Sequence, residues 1–292
     1  MTGSIGRTWA NGLKIDSTLD LNLDECIERI ENKKTSLIVI DGGVGEGKTT
    51  LATVLAMRLS IKRGHDFSIK DQVRQGGKDF LKGMNWCVVN NRKVVVYDEA
   101  GDFNTRASLT YFNQNMNRVF ETYRALGIIV ILCLPSFADV DTSLMKKKIS
   151  RFLIHCYDRD NNRGCYKIYS LWRMWYLKEH FRKVTVPDDA FRFVNPNSFG
   201  RFRDLDPKDS KELEKHSIKG KKDIIKRGML SNSGLIPVSV IAQKTGYTPQ
   251  SVRNYIKKRD IKGEKHGVSN YFHKSVVDNI LREKQSKGRI SY

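Results

Sequence analysis

Two kinds of apolar spacing alternate along the first part of this chain. Short continuous runs rich in β-branched residues, Ser36-Leu-Ile-Val-Ile40, Val94-Val-Val-Tyr97 and Ile128-Ile-Val-Ile-Leu132, each end at a polar or turn residue. Runs that are apolar on both faces predict central strands of a parallel sheet. Around them the spacing turns helical, with Leu19, Leu23, Cys26, Ile27 and Ile30 set among Asp and Glu, and Leu51, Val54, Leu55 and Leu59 following a glycine-rich turn. A helix is therefore expected from Lys48 to Lys62, and another from Leu109 to Leu126 as the crossover of a βαβ unit. Arg151 to Tyr157 and Cys165 to Tyr169 read as two further strands. The expected fold class is α/β, a parallel sheet with helices on both faces.

The pattern changes after Lys183. Pro187, Asn195, Pro196, Asn197 and Pro207 interrupt mixed charge with little apolar periodicity, which reads as a linker with one short helix. Periodicity returns with Val238 to Gly246 as a short helix, and Thr248-Pro249 opens a second, with Thr as cap and Pro at the first helical position. Val252, Tyr255 and Ile256 form the buried side of the second helix, so Gln250, Ser251, Arg253, Asn254 and Lys257 face outward as candidate major-groove contacts. Lys262 to Gly267 reads as a wing hairpin closed by Tyr271-Phe272, with a last helix from Lys274. The organisation expected is an N-terminal arm and helix over 1–34, a core domain over 35–185, a linker over 186–228 and a small winged helix-turn-helix domain over 229–292. This last pattern resembles the MerR and excisionase type, which implies DNA binding; a small protein-docking domain with a solvated basic face is the alternative.

Composition narrows the partners. The chain has 292 residues and a formal net charge of +20, an excess that commonly serves phosphate groups. Residues 201–292 hold 22 Lys and Arg against 10 Asp and Glu, whereas the first 200 hold 30 against 22. The tail is thus the expected nucleic-acid-facing module. The longest apolar run, Ile128 to Leu134, is far shorter than the ~20 residues of a membrane helix. No apolar segment follows the N-terminus in the manner of a secretory signal, so a cytoplasmic location is expected, in a host cell if the protein is viral. The five cysteines are scattered without metal-ligand spacing and read as buried free thiols.

The candidate chemistry lies at the first strand-to-helix turn. Gly42-Gly43-Val44-Gly45-Glu46-Gly47-Lys48-Thr49 fits G-x-x-x-x-G-K-[ST], and Thr50 continues it into the helix. Such a loop wraps its backbone N–H groups round phosphates, with Lys48 reaching the β and γ phosphates and Thr49 ligating Mg²⁺. Asp98-Glu99 closes the next apolar strand. Asp98 is the candidate Mg²⁺ ligand, directly or through water, and Glu99 the candidate general base for an attacking water. Asp98-Glu-Ala-Gly101 also fits the D-x-x-G of GTPases, but no N-K-x-D follows it, so ATP is the expected cofactor, with Mg²⁺.

The Asp98-Glu-Ala ending, Arg106, the polar stretch closing in Thr122-Tyr-Arg124-Ala-Leu-Gly and the strand from Ile128 resemble the HerA/FtsK branch of P-loop ATPases, over residues 35 to 160. The resemblance implies a homo-oligomer, often a hexameric ring, that moves duplex DNA with ATP, as in translocases, viral packaging ATPases and zonula occludens toxin-like proteins. It also makes Arg124 the first candidate arginine finger and Arg106 the second. The chain departs from that branch after its third strand, where Cys133-Leu-Pro-Ser136 replaces the usual polar sensor and leaves Ser136 as the substitute. The expected function is an ATP-hydrolysing DNA motor of a virus or mobile element. The rival is an ATP-switched DNA-binding regulator of replication, partition or transposition; a small-molecule kinase would leave the basic tail without a role. Tyr166, Tyr169, Trp172, Trp175 and Tyr176 could stack on bases, though their spacing suits packing better.

Overall fold

The computed structural model describes residues 15–98, 126–140, 142–159, 162–232, 234–266 and 269–288. The chain divides into two compact units, 1–217 and 218–292. In the first, seven strands form one sheet in the order β2-β3-β4-β1-β5-β6-β7. The strands are β1 (Ser36–Asp41), β2 (Val73–Gln75), β3 (Val94–Asp98), β4 (Ile129–Cys133), β5 (Ser150–Arg159), β6 (Asn162–Ser170) and β7 (Ser198–Arg201). Neighbours from β2 through β5 run parallel.

The continuous apolar runs bury both faces of this sheet. Because successive side chains point to opposite sides, Ile38, Ile40, Val94, Val96, Ile129 and Ile131 enter one core with Leu51, Val54 and Leu55 of α2 (Lys48–Lys62) and Leu19, Leu23 and Cys26 of α1 (Ser17–Glu31). Leu37, Val39, Val95, Tyr97, Val130 and Leu132 enter the other, with Phe80, Met84 and Cys87 of the helix Gly77–Val89 and Met174 and Leu177 of the helix Leu171–Phe181. The sheet is thus sandwiched by helices, as the sequence predicts. All five cysteines are buried and unpaired. The crossover helix expected between β3 and β4 lies outside the described residues.

Two features go beyond the sequence pattern. The sheet is only mostly parallel: β6 is antiparallel to β5, and β7 to β6. For β6 the reason is length, since two residues separate Arg159 from Asn162 and a parallel return needs a crossover of about a dozen or more. The stretch 186–228, expected to be a linker with one short helix, carries several short elements. It supplies a 3₁₀ turn (Pro187–Asp189), a helical turn (Ala190–Phe193), the edge strand β7 and the start of the helix Pro207–Asn232. Phe191, Val194, Phe202 and Leu205 are buried there, so its prolines and asparagines punctuate short elements instead of marking a free segment.

In the second unit, β8 (Leu235–Pro237), the helices Val238–Thr245 and Pro249–Lys258, the hairpin strands β9 (Glu264–His266) and β10 (Ser269–His273) and the helix Ser275–Gly288 follow in order. The three strands form an antiparallel sheet, β8-β10-β9. Gly246 ends the first helix in the left-handed region at φ 73°, and the Thr248 side chain accepts from Ser251 N–H to start the second. A turn of three residues therefore joins two short helices, and an antiparallel hairpin follows them. Ile241, Val252, Ile256, Phe272, Val276 and Ile280 make the small core. Among the described residues, no helix is long and apolar enough to cross a membrane.

Candidate nucleotide-binding site

The turn from β1 into α2 is shaped by glycine. Gly42 has φ 143°, and a β-carbon there would lie 2.5 Å from the Cys156 carbonyl oxygen of β5. Gly47 has φ 87°, and a β-carbon would meet the Phe202 ring at 2.8 Å. Both positions demand glycine for backbone conformation and for space. Gly47 also caps α2 without any side-chain acceptor, so the N–H groups of the first turn point into the loop with the positive end of the helix dipole. Val44 stands fully exposed at the loop tip.

The polar side chains of the loop are already ordered. Lys48 Nζ donates to the Gly42 carbonyl at 2.7 Å and to the Gly43 carbonyl, which folds the lysine back across the loop. Thr49 Oγ1 donates to Asp98 Oδ1 at 2.8 Å, joining the start of α2 to the end of β3. Glu46 accepts from Gly43 N–H, and burial pushes its carboxyl above the usual range against the pull of that hydrogen bond. Thus Gly42 through Thr50 and Asp98 converge at the carboxyl end of the parallel strands, where ligands bind in open α/β sheets. Glu99, Arg106 and Arg124 lie outside the described residues.

Three participants escaped the sequence reading. Asp41, the last residue of β1, is buried, with Oδ1 3.0 Å from His155 Nδ1 and Oδ2 accepting from Phe137 N–H at 2.9 Å. Lys178 reaches the same segment from the helix Leu171–Phe181, donating to the Phe137, Ala138 and Val140 carbonyls at 2.7, 2.8 and 2.6 Å. These bonds fix the loop after β4, where the sensor was sought; Ser136 Oγ accepts from Ala138 N–H there as a local cap. Gln75, at the end of β2, donates Nε2 to Asp98 Oδ2 at 3.3 Å. β2 is three residues long, too short for periodicity to reveal, and the proximity of Gln75 to Asp98 follows from strand order alone.

An oxygen donor set of a hydroxyl, a carboxylate and an amide suits a hard divalent cation such as Mg²⁺, which keeps several waters and shares its ligands with phosphate. One feature of the pocket fits that group: Gln75 Oε1 is buried and has no hydrogen-bond partner. The residues present therefore match a hydrated cation beside a phosphate loop.

In the second unit, Gln250, Ser251, Arg253, Asn254 and Lys257 are all exposed, while Val252 and Ile256 of the same helix are buried. Its polar face is thus presented as the sequence predicts. The aromatic cluster splits: Tyr166 and Tyr169 are buried, Trp175 packs against the core, and Trp172 and Tyr176 are 68% and 48% exposed.

No protein-family model matches the chain, and no curated protein is similar to it. Among solved structures it is similar to a chain of the Escherichia coli MS115-1 HORMA:CdnC:Trip13 complex, at 14% identity over 62% of this chain and 69% of that one, with a TM-score of 0.34. It is also similar to Caenorhabditis elegans PCH-2, at 15% identity over 96% and 71% with a TM-score of 0.32. A third likeness is to the ADP form of Aeropyrum pernix ORC2, at 13% identity over 93% and 94% with a TM-score of 0.30. At scores this low they decide nothing about function, which has to come from the geometry.

Proposed function

We propose that this chain is an ATP-hydrolysing, DNA-handling protein, with the nucleotide held between Gly42 and Thr50 and the DNA held by the C-terminal winged helix-turn-helix. The observation that carries the nucleotide reading is the Thr49–Asp98 hydrogen bond beside the uncapped start of α2. Backbone N–H groups of the loop bind the phosphates, and Lys48 turns from the Gly42 and Gly43 carbonyls onto the β and γ oxygens. Thr49 and Asp98 would hold Mg²⁺, which would supply neutralisation of the charge on the transferred phosphoryl group. Glu99, next in sequence, orients the attacking water and takes its proton. Arg124 of a neighbouring copy completes the site, with Arg106 as the substitute, so the working form is a homo-oligomer, a hexameric ring if the HerA/FtsK resemblance extends to assembly.

The test is the rate of ATP hydrolysis with and without duplex DNA, together with sizing in ATP. A DNA motor is expected to hydrolyse faster on DNA and to form rings. Slow hydrolysis that DNA leaves unchanged, with ATP altering only the assembly state, would support the switched regulator instead. Glu99→Gln is expected to bind ATP and stop turnover, because the amide keeps the shape and loses the base; normal turnover by that variant would place the catalytic carboxylate elsewhere.

A further inference from the structure

Two glutamines three positions apart at the edge of the sheet have opposite hydrogen-bond balances. Gln72 is fully buried and satisfied at both ends: Nε2 donates to the Val94 carbonyl at 2.7 Å, and Oε1 accepts from Ser68 N–H at 2.8 Å. It ties the turn before β2 to β3, and each end of its amide has a partner. Gln75 is 8% exposed, and its Nε2 donates to Asp98 Oδ2. Its Oε1 is buried with no partner. Flipping the amide would set its carbonyl against the Asp98 carboxylate, acceptor to acceptor, so the chemistry of the neighbour fixes the orientation.

A buried amide oxygen without a donor is costly, and native structures keep few of them. This one sits on the same amide group as the nitrogen that touches Asp98, and the register sets Gln75 directly beside Asp98 on the adjacent parallel strand. What it lacks is specifically a donor. A phosphate oxygen could not supply one, but a water bound to a divalent cation donates both its hydrogens outward. We infer that Gln75 is a positioning residue for the cation: Nε2 orients the Asp98 carboxylate, and Oε1 accepts from a water of the cation's hydration shell. The inference rests on reading Thr49 and Asp98 as the Mg²⁺ site. Residues that orient ligands in this way commonly set metal affinity within about 10- to 100-fold.

The experiment uses the full-length chain, a non-hydrolysable ATP analogue and Mn²⁺ as a paramagnetic probe. Gln75→Leu is expected to bind the analogue in EDTA as the wild type does, and to bind Mn²⁺ in the nucleotide complex about tenfold more weakly. Gln75→Met, close in length and lacking both the amide donor and the amide acceptor, is expected to show the same tenfold loss with metal-free analogue binding unchanged, which mere space-filling would not give. Should the leucine variant fail to fold, the methionine variant decides: a tenfold loss of Mn²⁺ affinity supports the inference, and affinity within twofold of wild type overturns it. Mn²⁺ affinity of Gln75→Leu within twofold of wild type also overturns it, as does a parallel loss of metal-free nucleotide binding, which would mark a structural role. If the wild type binds no nucleotide with or without metal, it is the phosphate-loop reading that fails, and this inference falls with it.

Discussion

The two units place their polar side chains in opposite ways. Among the described residues of the first, Asp20, Asp41, Arg58, Gln72, Gln75, Asp98, His155 and Lys178 are all buried. In the second, Thr245 is the buried polar residue, and its hydroxyl donates to the Ile241 carbonyl of its own helix. The difference fits the division of labour proposed above. Handling phosphate and a cation calls for groups held in fixed positions away from water, whereas holding a polyanion calls for many cations left in water, where displaced counterions contribute to affinity. Substitutions at the buried polar groups of the first unit should therefore reach the fold, and those on the polar face of the second should change binding and leave the fold alone.

The sharpest break would come at Lys48. In Lys48→Ala the loop keeps its backbone donors and loses two charge-assisted hydrogen bonds to the phosphates, worth about 3 kcal/mol together, so ATP affinity should fall by about 100-fold or more. Calorimetric titration measures this, and wild-type affinity would remove the nucleotide assignment. Thermal stability without nucleotide should change little, since Lys48 bonds only loop carbonyls among the described residues. That outcome would show where the first unit separates chemistry from fold.

Most of this division is legible in the sequence, for physical reasons. The strands β1, β3 and β4 announce themselves because burial on both faces requires continuous apolar runs, and the phosphate loop because only glycine tolerates its backbone at Gly42 and Gly47. The two short helices of the second unit follow from the Gly246 stop and the Thr248-Pro249 start. What sequence does not carry is adjacency between strands far apart in the chain. Gln75 meets Asp98, and Asp41 meets His155, only once strand order is fixed. The segment 186–228 hides its short elements because Pro and Asn mark both linkers and the ends of very short elements.

A second prediction concerns how the first unit is held together. Asp20 on α1 bonds Arg58 Nε at 2.9 Å and Lys62 Nζ at 3.0 Å on α2, with the Asp20 and Arg58 side chains each 8% exposed. Burial alone would raise the Asp20 carboxyl, but Arg58 and Lys62 outweigh it and hold the group below the usual carboxylate range. A depressed folded pKa gives stability that is present above the unfolded value, near 4, and lost as pH falls through the folded one. Glu46, raised by burial, acts in the opposite sense. Asp20→Asn, which leaves Arg58 and Lys62 facing a neutral amide, should cost about 3 kcal/mol at neutral pH and less below about pH 4. Hydrogen exchange should report the loss in α1 and α2 and no change in the helices of residues 218–292. An equal loss in both units would mean that they fold as one and blur the contrast.

The smallest expected effect tests the other side of the comparison. Arg253 and Lys257 lie one helical turn apart on the exposed face of the helix Pro249–Lys258, and Arg253 Nη1 donates only to the neighbouring Gln250 Oε1 among the described residues. Neither enters the core that Val252 and Ile256 build, so Arg253→Glu and Lys257→Glu should each shift stability by less than about 0.5 kcal/mol. If this face meets phosphate, each reversal should weaken duplex DNA binding by about tenfold at moderate salt and flatten the dependence of log affinity on log salt by about one unit. Arg259, on the same helix but bonded to Glu283 and stacked over Tyr255 at 4.1 Å, serves as the control. Arg259→Ala should lower stability slightly and leave the salt slope nearly as it was. Unchanged DNA affinity and slope in both reversals would take the second unit out of DNA binding and make its basic face a docking surface for a protein, with the charge serving solubility alone.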